Sequence, residues 1–182
     1  MLLTARLVSF ASSMVSLVAA ALLVACASRP AEHGVNADAG SADTAPVVAT
    51  DFIPIANLPP GFSHLATHDT TFEFGLRSTY DGTEGVYRNS VGEDVYVQVM
   101  PNRDPGAILD EYKALYTDAN YDPFADLIVN GHPTLRVLRY PVIDGMQQER
   151  YSLWWINGAF LVTVGATHDP ESVLALATAT GH

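Results

Sequence analysis

The most constraining stretch of this sequence is two apolar runs, Tyr151–Ile156 and Ala159–Val164, separated by the dipeptide Asn157-Gly158. Asn-Gly suits a tight type I′ turn, because both central residues of that turn need positive φ. A two-residue turn there pairs Trp155 with Phe160, Leu153 with Val162 and Tyr151 with Val164. Those six side chains share one face, which has to be buried. The opposite face carries Trp154 across from Leu161, then Ser152 across from Thr163, so it is apolar only near the turn. Trp154 and Leu161 have two readings: a helix covers them, or they line a groove for an apolar ligand or protein partner.

Further turn dipeptides extend the pattern. Asn130-Gly131 predicts a turn between Asp126–Val129 and Pro133–Tyr140, and Asp144-Gly145 predicts a third, leading into Gln147–Ile156. Together these give a four-stranded antiparallel meander. Upstream, Val95, Val97 and Val99 alternate with Tyr96, Gln98 and Met100 on a strand whose partner is Glu84–Asn89, and Thr71–Ser78 adds another. Asp104 followed by Pro105 reads as a helix start, and Ile108, Leu109, Tyr112, Leu115 and Tyr116 form a helical stripe ending near Asn120. Asp169-Pro170 starts a last helix, with Val173, Leu174 and Ala177 on one side and Gly181 stopping it. The expectation is one α+β domain over residues 51–182, an antiparallel meander sheet flanked by two helices. Leu58-Pro-Pro-Gly-Phe62, Val129-Asn-Gly-His-Pro133 and Trp155-Ile-Asn-Gly158, spread over Leu58–Thr180, carry a resemblance. This part resembles the PsbP-like fold and an uncharacterised domain of exported bacterial lipoproteins and anti-sigma factor tails. The resemblance implies a fold and no catalytic residues.

The beginning of the chain is of another kind. Arg6 is followed by an apolar run, interrupted only by small hydroxyls, that closes on Leu22-Leu23-Val24-Ala25 before Cys26. These are the parts of an export signal over residues 1–25. An uncleaved transmembrane helix is the competing reading, since the run is about long enough to span a bilayer. Leu23-Val24-Ala25-Cys26 resembles the lipobox of bacterial lipoproteins. That resemblance implies lipid on the Cys26 thiol, cleavage before it and acylation of the freed amine, with Cys26 the only cysteine of the chain. Residues 27 to about 50 are rich in Ala, Asp, Gly, Ser and Pro, without an aromatic residue, and read as a disordered tether over 26–50 with a reach of ~25–30 Å. By resemblance to lipoprotein sorting, Ala27 implies an outer membrane facing the periplasm in a two-membrane host. In a single-membrane host the anchor would lie on the outer face of the cell membrane.

The formal charge of −11 argues against nucleic acid as a partner and against adhesion to anionic lipid, leaving the lipid anchor as the membrane attachment. His64 and His68 are four residues apart beside Asp69. That spacing puts both rings on one side of a helix or strand, as a metal pair requires. No third ligand stands nearby in sequence, so two exposed polar histidines and no metal are expected. Asp81, Glu84, Glu93 and Asp94 gather around glycine turns without the spacing of a calcium loop, and read as solvated acids. No Gly-x-Ser-x-Gly elbow, phosphate-binding glycine loop or dinucleotide fingerprint is present, and Lys113 is the only lysine. Glu73, Asp144 and Glu149 are the remaining candidates for a carboxylate pair, with nothing in sequence to bring them together. The expectation is a non-enzymatic envelope lipoprotein with no cofactor beyond the covalent lipid, binding an envelope protein or a small ligand. A carrier of lipid or other apolar cargo and a hydrolase of unrecognised type are the alternatives.

Overall fold

The computed structural model describes residues 46–182. Cys26, the signal segment and most of the expected tether lie outside the described residues. A 3-10 turn, Ala49–Phe52, opens the structure two residues before the expected domain start and buries Phe52 completely. The chain continues through β1 (Ser63–Phe72), β2 (Tyr80–Arg88), β3 (Asp94–Pro101) and α1 (Pro105–Ala114). Then come β4 (Phe124–Val129), β5 (His132–Arg139), β6 (Val142–Ile143) and β7 (Met146–Gln147), followed by β8 (Arg150–Asn157), β9 (Phe160–Thr167) and α2 (Pro170–Ala179). Seven strands form one antiparallel sheet in the order β1-β2-β3-β9-β8-β5-β4, and β6-β7 is a separate two-stranded ribbon. The fold is α+β, as the patterning predicts.

Two cores lie on opposite faces of this sheet. Strict alternation on β3 sends Val95, Val97 and Val99, all fully buried, toward α2, where they meet Trp155, Val162, Val164, Val173 and Leu176. The other parity sends Met100, Trp154, Leu161, Leu135 and Val137 toward Ile108 and Tyr112 of α1. Both faces are buried because α1 crosses over one of them to carry the chain from β3 to the far edge strand β4, while α2 folds back on the other.

Local geometry departs from the sequence reading in definable ways. Asn130-Gly131 and Asp144-Gly145 have positive φ at both residues, as type I′ turns require. At the β8–β9 hairpin only Gly158 does (+58°), and the turn is Gly158-Ala159, glycine first, as in type II′. Trp155 therefore pairs with Val162, Leu153 with Val164 and Asn157 with Phe160. Contacts elsewhere hold this register: the Asn102 N–H donates to the Ala159 carbonyl at 2.8 Å, and Phe160 lies 5.2 Å from Phe52. A slide of two residues preserves faces, so the predicted in–out assignment survives. The first strand lies at Ser63–Phe72 rather than at 71–78. Asp144-Gly145 closes the small β6–β7 ribbon, while β5 and β8 pair directly. Helix α1 ends at Ala114 and gives way to successive turns, leaving Leu115 half exposed. In α2, Leu176 is buried and Leu174 faces outward.

The start of α2 is built from a short polar chain. Asp169 accepts from the Glu171 N–H at 3.0 Å and from the Ser172 hydroxyl at 2.6 Å, and Asn89 donates to Ser172 at 3.2 Å. The Ser172 hydrogen bond, with help from backbone N–H groups and His168, holds the Asp169 carboxyl below the usual carboxylate range. Asp169→Ala is expected to cost about 1 kcal/mol at neutral pH, measured by chemical denaturation. Because the folded pKa is lowered, the carboxylate's contribution is complete above the ordinary Asp pKa of about 3.9 and is lost as pH falls through the folded value. The difference between wild type and variant should therefore shrink in acid.

Candidate functional site

Trp154 and Leu161, the two residues offered in sequence as a possible apolar groove, lie under α1, 2% and 0% exposed. Tyr112 of α1 stacks on Trp154, with ring centroids 4.3 Å apart and planes 21° apart. Phe74, from the loop joining β1 to β2, closes over the same indole at 5.0 Å. Leu161 faces Ile156 across the hairpin, and Trp154 faces Thr163. His64 and His68 do not share a side. A β-bulge at Leu65 inserts one residue between them, so His64 pairs with Tyr87 and His68 with Glu84, on opposite sheet faces. His64 bonds Thr67 at 2.8 Å and packs edge-on against Tyr87, while His68 lies 3.5 Å from Glu84. Among the described residues, no group of three or more His, Cys, Asp or Glu side chains is placed to hold a metal ion. The turn acids also separate: Asp81 accepts from Thr71, Asp94 pairs with Arg88 at 2.7 Å, and Glu93 bonds Thr167 and His168.

What the sheet does assemble is a transverse row on the α1 side. His68, Glu84, Gln98, Thr163, Trp154, Leu135 and Asp126 stand in direct register across all seven strands. The polar part is wired in sequence. Thr163 donates to Gln98 Oε1 at 3.0 Å, and Gln98 Nε2 donates to Glu84 at 2.7 Å. The neighbouring row runs Val86, Tyr96, Gly165, Ser152, Val137 and Phe124. Gly165 supplies no side chain between Tyr96 and Ser152, and β8 packs close against it, with Ser152 Cβ only 2.4 Å from where a Cβ would stand.

A pocket of about 240 Å³ opens on these two rows, lined by Phe74, Tyr96, Gln98, Arg139, Ser152, Trp154, Thr163 and Gly165. Ser152 fixes the indole, accepting from Trp154 Nε1 at 2.9 Å. Burial raises the Tyr96 phenol above its ordinary pKa, and the charges of Asp94 and Glu84 add to this against Arg88. The pocket thus combines aromatic walls with a few fixed polar groups, the composition of a small-molecule site. Sequence reading missed Arg139, Tyr96 and Gly165. The signals present were the polar alternates on the Val95–Val99 strand, the Ser152/Thr163 pair and a glycine directly after an apolar strand.

Hydroxyl chemistry is constrained by the same bonds. The Thr163 proton is directed to an amide oxygen, and the carboxylate of Glu84 reaches that hydroxyl only through Gln98. Ser172, at the other polar cluster, donates to Asp169 and not to His168, whose partner is Glu93. Among the described residues, no serine or threonine hydroxyl is hydrogen-bonded to a histidine that a carboxylate also holds, the arrangement of a hydrolytic triad. No family model, curated protein or solved structure matches this chain.

Proposed function

We propose that this chain is a cell-envelope lipoprotein, anchored through lipid on Cys26, whose α+β domain binds a small ligand without transforming it. The pocket under Phe74 carries the binding part of this reading: it has an aromatic wall of Phe74 and Trp154 and polar groups already held in place by the Thr163–Gln98 and Trp154–Ser152 hydrogen bonds. A small ligand is favoured over bulky apolar cargo. The layer between α1 and the sheet, where a carrier would hold such cargo, is filled by Tyr112, Trp154, Met100, Ile108 and Leu161. The anchor part rests on Leu23-Val24-Ala25-Cys26 at the end of an export signal. Lipid there would place the domain at the periplasmic side of an outer membrane, or on the outer face of a single membrane.

Two measurements test the reading separately. Cells expressing the wild-type chain are expected to incorporate labelled palmitate into it, and Cys26→Ser is expected to carry none; an unlabelled wild-type protein sinks the anchor. A thermal-shift screen of the full-length protein with small acids, bases and sugars should yield ligands that raise Tm. Saturation at a hundred times Kd adds about 2.7 kcal/mol of stability. A screen in which nothing binds sinks the small-ligand reading.

A further inference from the structure

We infer that the pocket under Phe74 selects a small organic anion, a carboxylate with a flat or apolar body, which deepens the small-ligand reading and rests on it. The argument comes from which polar groups the pocket leaves unused. Thr163 gives its proton to Gln98, and Gln98 turns its amide nitrogen to Glu84. Glu84 is met in addition by His68 at 3.5 Å. The remaining polar side chains of the pocket are Arg139, Ser152 and Tyr96. Each of these can donate a hydrogen bond.

Arg139 is only partly exposed, and among the described residues no carboxylate lies within ion-pair distance of it. The ion pairs found there are His68–Glu84, Arg88–Asp94 and His168–Glu93. Its direct cross-strand neighbour is Arg150, on the same face of the sheet. Like charges directly opposite one another are unfavourable, and the Arg150 guanidinium is already occupied by Gln148 Oε1 at 2.6 Å and the Glu149 carbonyl. A partly buried cation beside a second cation, in a chain of net charge −11, calls for an anion. Ser152 is 8% exposed, and its oxygen accepts from Trp154, which leaves its own proton without an acceptor among the described residues. The Tyr96 phenol, protonated at neutral pH like any tyrosine of pKa about 10, has no acceptor among the described residues either. Three donors, one of them the cation Arg139, line one cavity, with Phe74 and Trp154 as an aromatic wall. Guanidinium recognition of a carboxylate is bidentate and planar, which suits a single Arg at the side of an aromatic slot. A volume of about 240 Å³ limits the body to roughly one ring or a short aliphatic chain.

The test is calorimetric titration of the full-length protein with benzoate, benzamide, benzamidinium and phenylphosphonate. These probes share a ring and differ in the charge and shape of the head group. Benzoate is expected to bind at least tenfold more tightly than benzamide, and benzamidinium not at all. Arg139→Gln is expected to weaken benzoate roughly ten- to a hundredfold while leaving benzamide binding unchanged. Arg139→Met serves as a second variant, with unchanged Tm as the check on folding. Equal affinity for benzoate and benzamide overturns the anion assignment and leaves the small-ligand reading standing. Benzoate affinity unchanged in both variants overturns the role of Arg139. Tighter binding of phenylphosphonate than of benzoate replaces the carboxylate by a phosphoryl group. Failure of all four probes overturns the inference, while a thermal-shift hit of other chemistry would keep the small-ligand reading alive.

Discussion

Trp154→Ala is expected to lower the free energy of unfolding by about 3–5 kcal/mol, read as a shift in denaturation midpoint at unchanged slope. The indole is 2% exposed, stacked on Tyr112 at 4.3 Å, closed over by Phe74 at 5.0 Å and bonded to Ser152. Removing it opens a cavity in the middle of the α1-side core, which α1 cannot fill without losing Ile108 and Tyr112 from their places. The ring pairs add to the burial, at about 0.5–1.5 kcal/mol each beyond area. A loss below about 1 kcal/mol would mean that this face is an open surface in solution.

Gly165→Ala is the second large effect expected, at about 1–3 kcal/mol of destabilisation. A Cβ at this position would lie 2.4 Å from Ser152 Cβ, 2.6 Å from Ser152 Cα and 2.6 Å from the Tyr151 carbonyl oxygen. Two of these three atoms are backbone, so no rotamer change relieves the contact; β8 and β9 have to move apart where their register already shifts between Tyr151 and Ser152. Gly165 and Ser152 both line the pocket, so strands forced apart there should also weaken whatever ligand the pocket holds. A variant of wild-type Tm would show that the two strands are less tightly joined there than the geometry requires.

Faces were legible in the sequence and registers were not, for one reason. Alternation has a period of two, so sliding a strand by two residues leaves every side chain on its side. Trp154 and Trp155 were therefore sent to opposite faces correctly, although Trp155 meets Val162 instead of Phe160. The slide depends on Phe52 and Asn102, contacts that no local pattern announces. His64 and His68 show the opposite case: one extra residue at Leu65 reverses parity, and a spacing suited to a shared side puts the rings on different ones. The pocket was least legible. Gln98 and Thr163 became neighbours because α1 carries the chain to the far edge strand and the last hairpin returns to lie beside β3. The cue at Gly165 fell just past the predicted end of its strand.

The strands also give the domain two unlike poles. At one, the Phe52 ring lies 4.6 Å from His182, and Asn130, in the turn before β5, donates to the carbonyls of Ala177, Thr178 and His182. The opening 3-10 turn and the residues that follow α2 are thus gathered at the same corner. Arg139 closes β5 at the other pole, seven strand steps or about 24 Å away. A substitution at Asn130 therefore loosens the crowded pole, at the end of β5 opposite to the arginine end of the pocket.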